Sequence, residues 1–166
     1  MKLILFRHGL AVDREIFIEK KMADGLRPLT EKGKDKTRKT AKSLLAQIGE
    51  TQALVSSPLV RAQQTAEIIG EILPYDRYFE CSELVPEAPP QAFANWLKSH
   101  VPNATSVVAV GHEPQMSVFA SWLLSGLTTS FLDLKKSGMI ALEVESFEHL
   151  GPRSAELRWL LNPKQV

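Results

Sequence analysis

Ser106-Val-Val-Ala-Val110, closed by Gly111 and His112, is an apolar run too short for a helix, and a helical stretch from about Pro114 to Leu124 follows it. Unbroken apolar character over so few residues reads as a strand buried on both faces, the kind found in parallel sheets covered by helices. The pattern recurs twice. Lys2-Leu-Ile-Leu-Phe6 closes on Arg7, His8 and Gly9, and Ala53-Leu-Val-Ser56 closes on Ser57 and Pro58, with Arg61 in the first turn of the helix beyond.

The segments between these strands carry helix signals. Thr30 reads as an N-cap before Glu31, with Ala41, Leu44, Leu45 and Ile48 along one side, Lys and Arg along another, and Gly49 as the stop. Ser57 reads as the next N-cap and Pro58 as the first helical residue, in a helix that turns Ala62, Ala66, Ile69 and Leu73 toward a sheet. A third strand is expected at Tyr78 to Cys81, and Pro86, Pro89 and Pro90 lead into a helix at about Gln91 to His100. Ala11 to Leu29 lacks clear periodicity and contains Gly25 and Pro28, so an irregular loop is expected there. Met139 to Val144 and Leu157 to Leu161 read as late strands, available for an antiparallel edge. The alternation predicts an α/β, three-layer sandwich with a mostly parallel central sheet flanked by helices, as a single domain over residues 1–166.

Of the 166 residues, 44% are hydrophobic and 23% charged, which fits an ordinary globular domain and excludes disorder over most of the chain. The 20 Lys+Arg against 19 Asp+Glu leave a net charge of +1, with no electrostatic footprint for nucleic acid or an anionic membrane. The basic cluster from Lys32 to Lys42 reads as a solvated helix face. Cys81 is alone, so neither a disulfide framework nor a thiolate zinc site is expected, and a reducing compartment fits. No apolar run approaches the roughly 18 residues needed to span a bilayer, and a soluble cytoplasmic protein is expected.

In sheets of this class ligands bind outside the carboxyl ends of the strands, so Arg7, His8, Arg61 and His112 should meet at one edge. Guanidinium forks match phosphate oxygens, a helix N-terminus adds N–H donors, and a neutral imidazole is a competent nucleophile. The combination predicts a phosphate pocket and covalent phosphohistidine chemistry with no metal and no other cofactor. Taken singly the residues are ordinary: Arg7 a surface charge, Arg61 a helix-surface residue, His112 with Glu113 a helix-capping turn. Their shared position at strand ends gives them chemical meaning. His100 and His149 lack such company and read as surface residues. The chain contains no G-x-x-x-x-G-K-[ST], no G-x-S-x-G, no G-x-G-x-x-G and no H-E-x-x-H, which removes the nucleotide-binding and zinc-hydrolase readings.

Arg7-His8-Gly9, Pro28-Leu29-Thr30-Glu31-Lys32-Gly33, Ser56-Ser57-Pro58-Leu59-Val60-Arg61-Ala62 with Gln64-Thr65-Ala66, and Gly111-His112 together resemble the histidine phosphatase superfamily, also called the phosphoglycerate mutase-like family. The small size and the Arg27-Pro28-Leu29-Thr30 string are similar to its SixA-type phosphohistidine phosphatase branch. The resemblance implies the phosphoglycerate mutase-like fold and a hydrolase with His8 as phosphorylated nucleophile. Arg7, Arg61 and His112 would form the phosphate pocket, with Arg27 assisting. After the Arg-His-Gly, many mutases and small-molecule phosphatases carry an acidic residue, Ser or Thr, and an Asn; Leu10, Ala11 and Arg14 stand here instead, which counts against a mutase. The family's usual proton donor is a central Glu, best matched by Glu83, with Glu87 and Asp13 as weaker matches. An imidazole, with a reference pKa of about 6.5, leaves phosphorus more readily than an alkoxide, which tilts the expected substrate toward phosphohistidine in a protein. A small phosphomonoester is the alternative substrate, and a non-catalytic phosphoprotein-binding module the alternative class. The short stretch between Cys81 and Val101 leaves little chain for a lid.

Overall fold

The computed structural model describes residues 1–166, and its first strand, β1 (Lys2–Arg7), shows how the core is built. Successive side chains of a strand point to opposite faces. Leu3 and Leu5 therefore enter one apolar cluster while Ile4 and Phe6 enter another, all of them buried. The remaining elements follow as α1 (Arg14–Glu19), α2 (Glu31–Ile48), β2 (Thr51–Ser56), α3 (Val60–Gly70), β3 (Tyr75–Glu80), α4 (Pro90–His100), β4 (Ser106–Gly111), α5 (Gln115–Ser125), β5 (Met139–Val144) and β6 (Ala155–Leu161). Single 3₁₀ turns lie at Asp24–Leu26, Ser82–Leu84 and Pro163–Gln165.

The strands form one six-stranded sheet in the order β3-β2-β4-β1-β5-β6. β3, β2, β4 and β1 are parallel, β5 runs antiparallel to β1, and β6 antiparallel to β5. This is the expected α/β sandwich, with the late strands supplying the antiparallel edge. α4 and α5 cover one face through Phe93, Leu97, Phe119 and Leu123. α2 and α3 cover the other through Ala41, Leu44, Ala62, Ala66 and Ile69. Burying a side chain such as Leu, Ile or Phe contributes about 1.5–3 kcal/mol, and β1, β2 and β4 bury consecutive residues on both faces through their middles.

Two local expectations need correction. Residues 11–29 are not wholly irregular: they contain α1, the Asp24–Leu26 turn and an antiparallel bridge between Ala11 and Leu29. Phe17 is the one buried residue of α1, so the helix leaves no amphipathic signature. α3 starts at Val60, not Pro58, with Leu59 as its N-cap; leucine has no side-chain acceptor, and Ser57 stands two residues earlier, where its hydroxyl meets His112 and accepts from Leu59 N. Thr30 does cap α2, accepting from Gly33 N at 3.0 Å, and Gly49 ends that helix at φ 76°.

Register makes the three central strands end level. Arg7 is paired with Gly111 and Ser56 with Val110. The ladder continues one residue further, with His8 N donating to Gly111 O at 3.0 Å and Ser57 N to Val110 O at 2.9 Å. The N-terminal end of α2 closes on the loop after β1. A Cβ at Gly33 would lie 2.1 Å from Leu10 O, so only glycine permits that approach.

Candidate active site

His8 is 6% exposed, and its ring Nδ1–H donates to Gly9 O at 2.7 Å. That bond fixes the tautomer and leaves Nε2 with its lone pair. Burial drives the His8 pKa down to about 3 against the pull of the Gly9 bond, with Arg61, Arg7 and Lys136 adding to the depression. The imidazole is thus neutral at ordinary pH, the state a nucleophile needs. Its loop is pinned to α3, since Gly9 N donates to Thr65 Oγ1 at 3.0 Å and Thr65 Oγ1 donates to Arg61 O at 2.7 Å.

The His112 ring lies 4.9 Å from that of His8, centroid to centroid. Its Nε2 is 2.8 Å from Ser57 Oγ, which also accepts from Leu59 N at 3.3 Å. With the Ser57 proton given to Nε2, His112 keeps a proton on Nδ1, which is buried without a protein partner. Burial, His8 and Arg61 lower the pKa of His112 to about 2, so it donates as a neutral ring.

Both arginines are held by one end only. Arg7 Nη1 donates to Leu134 O at 2.8 Å; Arg61 Nη1 donates to Asp24 O at 3.1 Å, and its Nη2 lies 3.3 Å from Asp24 Oδ2. The Nε of each is buried without a partner. Buried donors are nearly always satisfied. Three unpaired ones around two imidazoles form a site made for an oxyanion. Arg27 is more committed, donating from Nε to Asp24 Oδ1 at 2.7 Å and from Nη1 to Val12 O at 2.8 Å. Burial raises the pKa of Asp24, but Arg27, Arg61 and Arg14 outweigh it and hold the carboxyl below its ordinary range. Asp24 is a clamp for the arginines and a poor proton donor.

Arg7, His8, Arg27, Arg61 and His112 line one cleft of about 710 Å³. Glu83 does not. It is half-buried beside the cleft, and its Oε2 accepts from Ser82 Oγ at 2.8 Å. Glu87 and Asp13 do reach the cleft wall, both exposed. Glu113 lines it as well, but its oxygens accept from Ser117 N at 3.0 Å and Ser117 Oγ at 2.5 Å, so it caps α5. His100 and His149 are exposed and do not line this cleft.

Sequence reasoning missed Asp24, Lys136 and the role of Ser57. Lys136 sits at the rim, its pKa lowered by burial and then by Arg7 and Arg27. The signal for it was the Lys135-Lys136-Ser137-Gly138 turn. Because β5 is antiparallel to β1, the turn before it falls at the edge where β1 ends. Asp24 had no signal, lying in a segment without periodicity.

Residues 3–83 match the sequence profile of the Histidine phosphatase superfamily (branch 1). An uncharacterized protein of Picosynechococcus sp. is 38% identical, over 99% of this chain and 98% of its own length. The phosphohistidine phosphatase SixA of Escherichia coli is 27% identical over 86% of each chain. A solved structure of the protein histidine phosphatase SixA complexed with tungstate superposes with a TM-score of 0.83 at 25% identity, over 99% of this chain and 98% of that one.

Proposed function

The chain belongs to the histidine phosphatase superfamily, and from that membership we propose that it removes phosphate from phosphohistidine in a protein, through a phosphoryl intermediate on His8. The observation that carries the reading is the His8 Nδ1–H bond to Gly9 O, because it presents a neutral ring with Nε2 unprotonated beside three unpaired buried donors.

In the first step His8 Nε2 forms a bond to phosphorus as the substrate's N–P bond breaks, and the imidazole of the substrate leaves with its proton. Arg7, Arg61 and the His112 Nδ1–H hold the equatorial oxygens, where preorganised donors act most strongly. In the second step water attacks phospho-His8, the His8–phosphorus bond breaks with its electron pair returning to Nε2, and both hydrogens of the water leave on inorganic phosphate. As proposed, both steps draw on the arginines and histidines of the cleft alone.

The carboxylates favour this leaving group. Asp24 and Glu113 are tied up, whereas Asp13, Glu15 and Glu87 are exposed, so none is both sheltered and free to protonate an alkoxide. Access favours a protein. Only residues 85–89 separate the Ser82–Leu84 turn from α4, whose Phe93, Ala94 and Leu97 are buried in the core, which leaves little chain on that side for a lid.

A substrate panel in the presence of chelator tests the proposal, comparing phosphohistidine protein, phosphoserine peptide, sugar phosphates and phosphoglycerates by kcat/KM. Phosphohistidine protein is expected to rank first. A faster sugar phosphate, or phosphoryl transfer to a second hydroxyl, overturns the substrate assignment. Glu87→Gln is expected to leave the ratio of alkyl to aryl phosphate rates unchanged; a loss confined to alkyl phosphates would make Glu87 a proton donor and count against the leaving-group argument.

A further inference from the structure

A second groove, of about 650 Å³, lies on the other side of Arg7. It runs between Lys36 on α2, the turn carrying Lys135 and Lys136, and the Pro163–Gln165 turn with Lys164. Arg7 and Lys136 border both this groove and the catalytic cleft, so the two are adjacent. No Asp or Glu lines it. Lys135 is paired with Asp133 at 2.8 Å, both side chains largely exposed, while Lys36, Lys136 and Lys164 are in no ion pair. The net charge of +1 therefore conceals a local excess of cations beside the reaction site.

We propose that this groove seats acidic side chains of the protein substrate, in a segment rich in Asp or Glu that adjoins the phosphohistidine. The inference rests on the phosphohistidine-protein reading of the neighbouring cleft. The cations are dispersed, exposed ammonium groups on flexible stems. Such groups act as point charges and tolerate scattered carboxylates, whereas a single further phosphate calls for converging forks or backbone N–H groups. Their stems, with Leu10 and Pro163, give the groove an apolar floor that suits the methylenes of Glu. The exposed Lys135–Asp133 pair is worth little and can exchange its carboxylate for an incoming one. Electrostatic complementarity of this kind steers encounter and weakens with salt.

The test uses Lys36→Glu/Lys164→Glu, which touches neither histidine nor arginine of the cleft. Two phosphohistidine peptides, one flanked by Glu and one by Ser, are compared with an aryl phosphate. Wild type is expected to favour the acidic peptide by about tenfold in kcat/KM at low salt, through KM, with the advantage fading at high salt. The double variant is expected to lose that preference and keep its aryl phosphatase activity. Equal kcat/KM for the two peptides in wild type, or equal loss on all three substrates in the variant, overturns the proposal.

A separate arm does not require phosphohistidine turnover: an unphosphorylated Glu-rich peptide should inhibit aryl phosphate hydrolysis by wild type and not by the variant. Inhibition without phosphohistidine cleavage upholds the groove and sinks the substrate reading, while cleavage without inhibition sinks the groove alone. If a small bisphosphate gains over its monophosphate through the same lysines while the Glu-rich peptide does not inhibit, the groove is a second-phosphate subsite and the acidic-segment proposal fails.

Discussion

Strands β1, β2 and β4 arrive level at the active edge and deliver His8, Ser57 and His112, all of them buried. β5 and β6 reach the same edge as an antiparallel pair, Met139 opposite Leu161, and deliver the turn with Lys135 and Lys136 and the strand end with Asn162. The parallel strands, covered on both faces, can strip water from a reacting group. The antiparallel pair offers exposed ammonium groups and backbone carbonyls, among them Leu134 O on Arg7. Chemistry that needs desolvated imidazoles belongs to the first region, and long-range attraction or positioning needs only the second.

The largest expected effect lies on the parallel side. His8→Ala should lower kcat by at least about 10⁴-fold, with the unfolding midpoint moved by only a few degrees. Rapid quenching of wild type should trap acid-labile phosphate on His8; label elsewhere, or an active His8→Ala, would break the division at its base. Next come Arg61→Ala and Arg7→Ala, each expected to cost about 3–4 kcal/mol of transition-state stabilisation, read from kcat/KM. Arg61→Ala should be the more damaging to the fold, since it also removes a partner of Asp24. A loss below tenfold for either would place it outside the reaction.

The buried histidines also predict an acid weakness. Their folded pKa values, about 3 for His8 and about 2 for His112, lie below the ordinary 6.5. The unfolded chain therefore binds more protons between those limits, and stability falls as pH drops below about 6.5, by up to roughly 1.4 kcal/mol per histidine per pH unit. Thermal melts from pH 7 to 4.5 measure this, and removing His8 should flatten the slope. The acid limb of kcat/KM should lie below pH 5, because His8 stays neutral there.

The smallest effect belongs to the antiparallel side. Asn162 Oδ1 accepts from Lys135 N at 2.8 Å and its Nδ2 donates to Asp133 O at 3.1 Å, bracketing the carbonyl that holds Arg7. Asn162→Ala should reduce kcat about tenfold, near the 1.4 kcal/mol of one hydrogen bond, with KM little changed. The loss should vanish in an Arg7→Ala background. Persistence there would show that Asn162 supports the fold alone.

Much of this was legible because strand burial and strand-end chemistry sit in contiguous residues. Lys2 to Phe6, Thr30, Gly49 and the Gly111-His112 pair announce themselves locally. Ser57 misled because Ser-Pro ahead of a helix is a cap signal, and nothing local reveals that its hydroxyl is taken by His112. Glu83 matched by position, but a match cannot tell where a carboxylate points, and this one meets Ser82. The basic groove was illegible because Lys36, Lys135 and Lys164 are brought together only by the antiparallel return of β5 and β6.

The place of β1 has a consequence for how the molecule is made. The strand that carries the proposed nucleophile is synthesised before either of its sheet neighbours, yet it lies inside the sheet, with Lys2 opposite both Ser106 and Glu143. At about 5–20 residues per second, its second neighbour follows on the order of ten seconds later. Until β4 is made, Leu3 to Phe6 is an unpaired apolar segment and His8 lacks His112 beside it; until the turn before β5 is made, its arginine lacks the Leu134 carbonyl. The phosphatase activity proposed for this edge is therefore expected to appear late in synthesis, as the closing strands lock the first one in place.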